Sequence, residues 1–137
     1  MIREIVKDQF FLQLPSQVAT RDDAQVGQDL LDTLMAHSDH CVGLAANMIG
    51  VSKTILAVAE GRKFLAMFNP VIVSHSPKPY DTMEGCLSLP GERPVKRYER
   101  IEVVYEDIHF KKKRQKFSGL TAQAIQHEMD HFAGKLI

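Results

Sequence analysis

Gln126-His127-Glu128-Met129-Asp130-His131, close to the C-terminal end of the chain, is the stretch around which the other residues arrange themselves. If it is helical, His127 and His131 stand one turn apart on the same face, the spacing that lets two imidazoles share one metal ion. Glu128 sits beside them, and in this pattern the carboxylate is not a ligand but the base that takes a proton from water at the metal. That chemistry is hydrolysis. The bland alternative is an exposed helix that carries these residues by chance, and the remainder of the chain has to decide between the two.

With 137 residues, 45% of them hydrophobic, the chain suits one compact domain spanning 1–137. Lys+Arg and Asp+Glu balance at 17 each, so no overall field holds the protein on DNA or on an anionic membrane, and any acidic partner needs a local patch. The first residues lack the apolar core of a signal peptide, and no apolar run approaches the roughly 18 residues of a membrane span. The expected location is the cytoplasm. Two cysteines, Cys41 and Cys86, are too few for a disulfide framework.

Upstream, residues 1–20 read as a packed arm. Thr20 and Asp23 mark a helix start, and Val26, Leu30, Leu31, Leu34 and Met35 recur at helical spacing, predicting a helix over 21–37 whose stripe is core. Residues 43–50, bracketed by Gly43 and Gly50, allow close backbone approach. Residues 55–59 and 64–68 predict a hairpin across Glu60-Gly61-Arg62, continued by Val71-Ile72-Val73, and 74–79 predicts a loop. Residues 101–107 alternate as a strand, with 110–117 pairing back across the basic turn Lys111-Lys112-Lys113-Arg114. The bland reading of that run is a solvated turn; the other is a contact with an acidic partner such as RNA phosphate. Ser118 and Gly119 open a second helix that ends at Gly134.

A catalytic metal of this type has three protein ligands and an open position. Nothing after His131 offers an imidazole, thiol or carboxylate side chain, so the third ligand comes from upstream. Cys86 is the best candidate, since its thiolate binds divalent transition metals strongly and the adjacent Gly85 lets a backbone approach. Its bland reading is a small buried hydrophobe. His37, His40, His75, His109 and Cys41 lie outside any paired spacing and read as structural or surface residues.

These features together resemble the peptide deformylases, metallohydrolases that remove the formyl group from the N-terminal formyl-methionine of new proteins. That family has Gly-hydrophobic-Ala-Ala-x-Gln-x-Gly, then Glu-Gly-Cys-Leu-Ser, then Gln-His-Glu-x-Asp-His; this chain has Gly43-Leu44-Ala45-Ala46-Asn47-Met48-Ile49-Gly50, Glu84-Gly85-Cys86-Leu87-Ser88 and the stretch quoted first. The resemblance implies an α+β fold, small antiparallel sheets packed around a C-terminal metal-binding helix with one further N-terminal helix. It implies that Cys86, His127 and His131 hold one divalent metal, Fe2+ in the cell with Zn2+ or Ni2+ after purification, and that Glu128 is the general acid/base. The Leu87 N–H would stabilise the oxyanion. Leu120 and Ala124 would line a pocket for the methionine side chain, with Gly43 and Gly85 at its walls and Leu44 closing it. Glu84 and Arg93 match positions that support the site and contact the peptide, or they form a surface ion pair. Partners implied are a formyl-methionyl peptide or nascent chain and a transient ribosome contact; oligomeric state is not legible.

One position departs from the pattern. Where the family has an oxyanion-binding glutamine, this chain has Met48, whose thioether has no donor. Asn47 carries an amide, but in an extended segment it points to the opposite face. The expectation is therefore a deformylase-type hydrolase with lowered activity. A catalytically impaired binder of N-formylated peptides, or an enzyme for a related acylated amine, is the alternative; a metalloprotease would need a downstream ligand that this chain lacks. The chain also has little after Gly134, so a ribosome contact made through a longer tail would be lost.

Overall fold

A computed structural model describes all 137 residues, Met1–Ile137. The main sheet grows from a two-residue turn: Gly61, at φ +61°, lets β2 (Ile55–Glu60) fold back on β3 (Lys63–His75) from Ile55↔Phe68 to Glu60↔Lys63. β1 (Gly43–Ala45) adds to the free edge of β2 and β6 (Arg100–Glu106) to the far side of β3, followed by β7 (Lys112–Ser118). All pairings are antiparallel. Along β2, Ile55 and Ala57 face one cluster of buried apolar side chains and Leu56 and Val58 another. Its unbroken apolar run thus reflects a strand covered on both faces. One cover is α2 (Ala24–Ala36), through Leu30 and Leu34; the other is α3 (Gly119–Phe132), through Ala122, Ala124 and Ile125.

A second, two-stranded sheet pairs β4 (Pro79–Cys86) with β5 (Leu89–Tyr98). This hairpin was not legible beforehand, because Pro79, Pro90 and Pro94 interrupt any alternation. It is also what carries Cys86. Several boundaries differ from expectation. The loop at 74–79 shrinks to 76–78, because β3 continues as one strand through a kink at Asn69, which adopts φ +53° at a register slip. The Asn69 side chain stabilises that kink, accepting from Ala19 N at 2.8 Å and from Thr54 Oγ1 at 2.6 Å. The basic run is not a turn: Lys112 to Arg114 lie within β7, and the turn is 107–111, where Asp107 Oδ1 accepts from the N–H groups of His109 and Lys111 at 2.9 and 3.0 Å. Lysines on an edge strand discourage pairing with another chain. Met35, placed in the apolar stripe of α2, is exposed.

A short helix, α1 (Gln9–Leu12), buries Leu12 beside the segment 43–49. The turn Ala46–Ile49 is a tight helical turn rather than an extended segment. Its Asn47 is buried, and Asn47 Nδ2 donates to His131 O at 3.2 Å, tying the turn to the last turn of α3. No helix is long and apolar enough to cross a membrane. α3 stops at Gly134, whose φ is +78° and where a Cβ would lie 2.1 Å from Gln13 O. Both the left-handed backbone and the contact with Gln13, just past α1, exclude a side chain there, so Gly134→Ala is expected to cost about 2 kcal/mol or more. Urea denaturation, read as a lower midpoint at unchanged m, checks this.

Candidate metal centre and cleft

α3 presents His127 and His131 one turn apart, with ring centroids 4.8 Å apart and nearly perpendicular planes. The β4–β5 hairpin turns back at Leu87 and Ser88, which sets Cys86 at its tip against α3, Cys86 Sγ lying 3.6 Å from His131 Nε2. The potential ligand atoms of Cys86, His127 and His131 all lie within 4.8 Å of one another. A thiolate and two imidazoles at that separation form a donor set for a divalent transition metal such as Zn2+ or Fe2+. Glu128 Oε1 is buried beside them with no hydrogen-bond partner. The residues fit a metal.

The hairpin is fastened to α3 by a carboxylate. Glu84, buried in β4, accepts from His127 Nδ1 at 2.7 Å, from Arg97 at 2.7 to 3.2 Å through Nε and Nη2, and from Gln123 Nε2 at 2.9 Å. Arg97 Nη1 also donates to Asp130 Oδ2 at 2.8 Å. The bond at Nδ1 orients the His127 ring and leaves Nε2 as the atom that could bind a metal. Glu84 therefore pairs with Arg97 and not with Arg93. Although Arg93 is its register partner across the hairpin, the Arg93 guanidinium donates to Pro90 O at 3.1 Å. A second clamp comes from Gln126, whose side chain accepts from Tyr98 N and donates to Tyr98 O, both at 2.8 Å, as a neighbouring strand would. Neither Arg97 nor Gln123 was picked out from the sequence. Gln126 and Asp130 lay in the quoted stretch without a role.

Charge is distributed unevenly over this cluster. Burial alone would raise the Glu84 carboxyl, but the bonds from His127, Arg97 and Gln123 outweigh it and bring it down to about 2. Burial disfavours a charged His127, yet Glu128, Cys86 and Glu84 around it push its imidazole up to about 10. Burial and the neighbouring His127 push His131 down to about 4. Burial, opposed by His127, pushes Glu128 up to about 7. The His131 imidazole is thus held neutral and ready to bind a cation, whereas a cation arriving at His127 would have to displace its proton.

The cluster opens on a cleft of about 450 Å³ whose lining includes Gly43, Met48, Glu84, Gly85, Cys86, Leu87, Leu120, Ala124, His127 and Glu128. Leu44 does not close it: the alternation of β1 turns that side chain into the core, fully buried. Gly43 is needed where it is, because a Cβ there would lie 3.0 Å from Glu128 Oε2. The Leu87 N–H, in the turn between β4 and β5, donates to no protein acceptor. Met48 is 1% exposed and its Sδ accepts from Ala45 N at 3.5 Å. Asn47 does not substitute for the missing donor; its amide is committed to α3. Cys41 and Met83 also line the cleft and carried no sequence signal for it. The Cys41 thiol donates to Gly43 O at 2.8 Å, and burial, with the Glu128 charge nearby, pushes it up to about 12, so it remains a protonated donor.

Comparison with known proteins gives a consistent family. The family model described as polypeptide deformylase matches residues 4–137. A peptide deformylase of Clostridium beijerinckii is 58% identical over 137 residues, the whole of both chains. One from Dictyoglomus thermophilum is 37% identical over all of this chain and 91% of its own. Among solved structures, the Thermotoga maritima peptide deformylase superposes with a TM-score of 0.87 at 28% identity, covering 99% of this chain and 94% of that one. A class I type b peptide deformylase from Acinetobacter baumannii, with Met-Ala-Ser bound, superposes with a TM-score of 0.88 at 26% identity, covering 99% and 97%.

The purified protein is expected to hold one divalent metal per chain, and Cys86→Ser or His127→Ala to lose it. Because an outer partner of a ligating imidazole typically accounts for ten- to a hundredfold in affinity, Glu84→Gln should surrender the metal about that much more readily in competition with a chromogenic chelator. An unchanged affinity would show that the Glu84 carboxylate only fastens the hairpin.

Proposed function

Because the chain belongs to the polypeptide deformylase family, we propose that it is a metal-dependent hydrolase that removes the N-formyl group from formyl-methionyl peptides of nascent proteins. The observation that carries this reading is the convergence of Cys86, His127 and His131 beside a buried Glu128 at the floor of a cleft. Bound there, a divalent ion would polarise the formyl oxygen and acidify water; we assign Fe2+ in the cell, with Zn2+ or Ni2+ as replacements after purification.

Glu128 takes a proton from the attacking water as its oxygen bonds to the formyl carbon, and passes that proton to the departing amine as the C–N bond breaks, leaving formate and a free N-terminus. Its raised carboxyl suits it to both transfers near neutral pH. The Leu87 N–H, free of protein acceptors, is available to the oxygen on which negative charge grows. Leu120 and Ala124, on the cleft face of α3, with Met83 opposite, offer an apolar surface to the methionine side chain. The tripeptide bound to the Acinetobacter enzyme supports a peptide as the occupant. The same reading places the protein in the cytoplasm with a transient ribosome contact.

Met48 sets the expected rate. In the turn Ala46–Ile49 its Sδ receives the Ala45 N–H. A glutamine there can accept that same N–H through Oε1 and turn its Nε2 donors toward the cleft. Loss of one oxyanion donor costs about a hundred- to a thousandfold in turnover. Met48 is also the one feature that favours the second reading, a protein that binds formylated N-termini without efficient hydrolysis, and the full-length match to named deformylases does not favour it.

Anaerobic, Fe2+-loaded protein is expected to release formate from formyl-methionyl-alanine, with at least a tenfold gain in Met48→Gln and complete loss in Glu128→Ala. Tight peptide binding with no formate from the parent would support the binder. A Met48→Gln variant no faster than the parent would refute the donor argument.

A further inference from the structure

Residues 1–7 form no helix or strand, yet they bond to the Met48 turn and border a surface cavity that Leu87 also lines. Val6 N donates to Met48 O at 2.7 Å, a short bond to the backbone of the residue that faces the oxyanion side. On the other wall, Ile2, Arg3, Glu4 and Ile5 border a surface cavity of about 470 Å³ together with Leu87. Ile5 and Val6 pack against the same core cluster that holds Met48, Cys86 and Leu87. One short arm is therefore bonded to the turn that carries Met48 and shares a core cluster and a surface cavity with the hairpin tip that carries the Leu87 N–H.

The arm is held from α2. Arg3 N donates to Thr33 Oγ1 at 2.9 Å and Arg3 Nη1 to Asp29 Oδ2 at 3.1 Å, while the Met1 α-ammonium donates to Asp29 Oδ1 at 3.0 Å and also meets Asp32. Asp29 is only 3% exposed and receives Gln25 Nε2 at 2.8 Å as well. Burial pushes its carboxyl up, but the bonds from Gln25, the α-ammonium and Arg3 outweigh it and hold it below the usual carboxylate range. A buried carboxylate kept ionised by cations on the arm is a directional anchor, because releasing the arm would strand the charge. Nothing about packing requires this: α2 already covers the sheet through Leu30 and Leu34.

We infer that Asp29, which does not line the cleft, is a positioning residue: through Arg3 it tensions residues 1–7 as a strap that sets the distance between the Met48 turn and the Leu87 N–H. The inference rests on the deformylase reading for its kinetic consequence, and on the strap's hydrogen bonds for its structural one. A displacement of about 1 Å at an oxyanion donor can cost up to a hundredfold in rate, so a loosened strap acts on turnover more than on binding.

The experiment uses full-length, metal-loaded protein. Asp29→Asn is expected to lower kcat per bound metal about tenfold with KM within about twofold, and Asp29→Glu to restore most of it. Arg3→Ala, a change at a half-exposed side chain that leaves the α2 core intact, should give the same split and serves if Asp29→Asn folds poorly. In the Zn2+-loaded form, amide exchange at Val6 should quicken and the Leu87 amide resonance should shift in both variants. Faster Val6 exchange with an unmoved Leu87 resonance, or with unchanged kcat, would reduce the strap to fold stabilisation and overturn the inference. Should the parent release no formate at all, the deformylase reading fails, while the Val6 and Leu87 signals still decide whether the strap reaches the cleft.

Discussion

The carboxylate of Glu84 is the junction on which the site depends. It belongs to a two-stranded hairpin that shares no backbone ladder with the main sheet, yet it receives donors from His127 and Gln123 on α3 and from Arg97 on its own hairpin. A carboxylate this deep is stable only because its oxygens are satisfied, and removing one partner of such a pair typically costs about 3–5 kcal/mol. The same bonds do three things at once. They dock the hairpin on the helix, bring Cys86 to the histidines, and fix the orientation of the His127 ring.

The rest of the architecture keeps α3 where the hairpin can find it. β2 is covered on both faces, by α2 on one and α3 on the other, so the sheet acts as a rigid partition, and α3 carries His127 and His131. β1 lies at the border of that partition, and its Gly43 lets the Glu128 carboxylate approach the backbone. Asn47 closes the circuit, donating from the turn after β1 to the carbonyl of His131. Each motif is thus in contact with another through a polar bond, which is why the cleft can be both buried at its floor and open at its mouth.

Much of the fold was legible because it is local. The α2 stripe, the β2–β3 hairpin and the cap of α3 follow from relations between residues a few places apart. The misses have separate physical origins. The β4–β5 hairpin was hidden by Pro79, Pro90 and Pro94, which its strands tolerate because no other strand flanks them. The run of lysines and Arg114 reads as a turn by charge alone, yet the true turn was marked by Asp107, whose side chain caps two backbone N–H groups. Leu44 was assigned to the pocket by its motif, and strand alternation turns it the other way.

What the sequence determined by itself was the pair of imidazoles on one helical face, the carboxylate beside them, the need for an upstream ligand, and the absence of a side-chain donor at Met48. These are statements about residue chemistry and about spacing within one turn of helix, and no tertiary contact alters them. What only the tertiary structure decided was partnership across distance. Glu84 takes Arg97, thirteen residues away, in place of its register partner Arg93, and Asn47 reaches an atom eighty-four residues away. Twist and the kink of a strand set which side chains converge, and both arise from the packing of the whole chain, which no local pattern records.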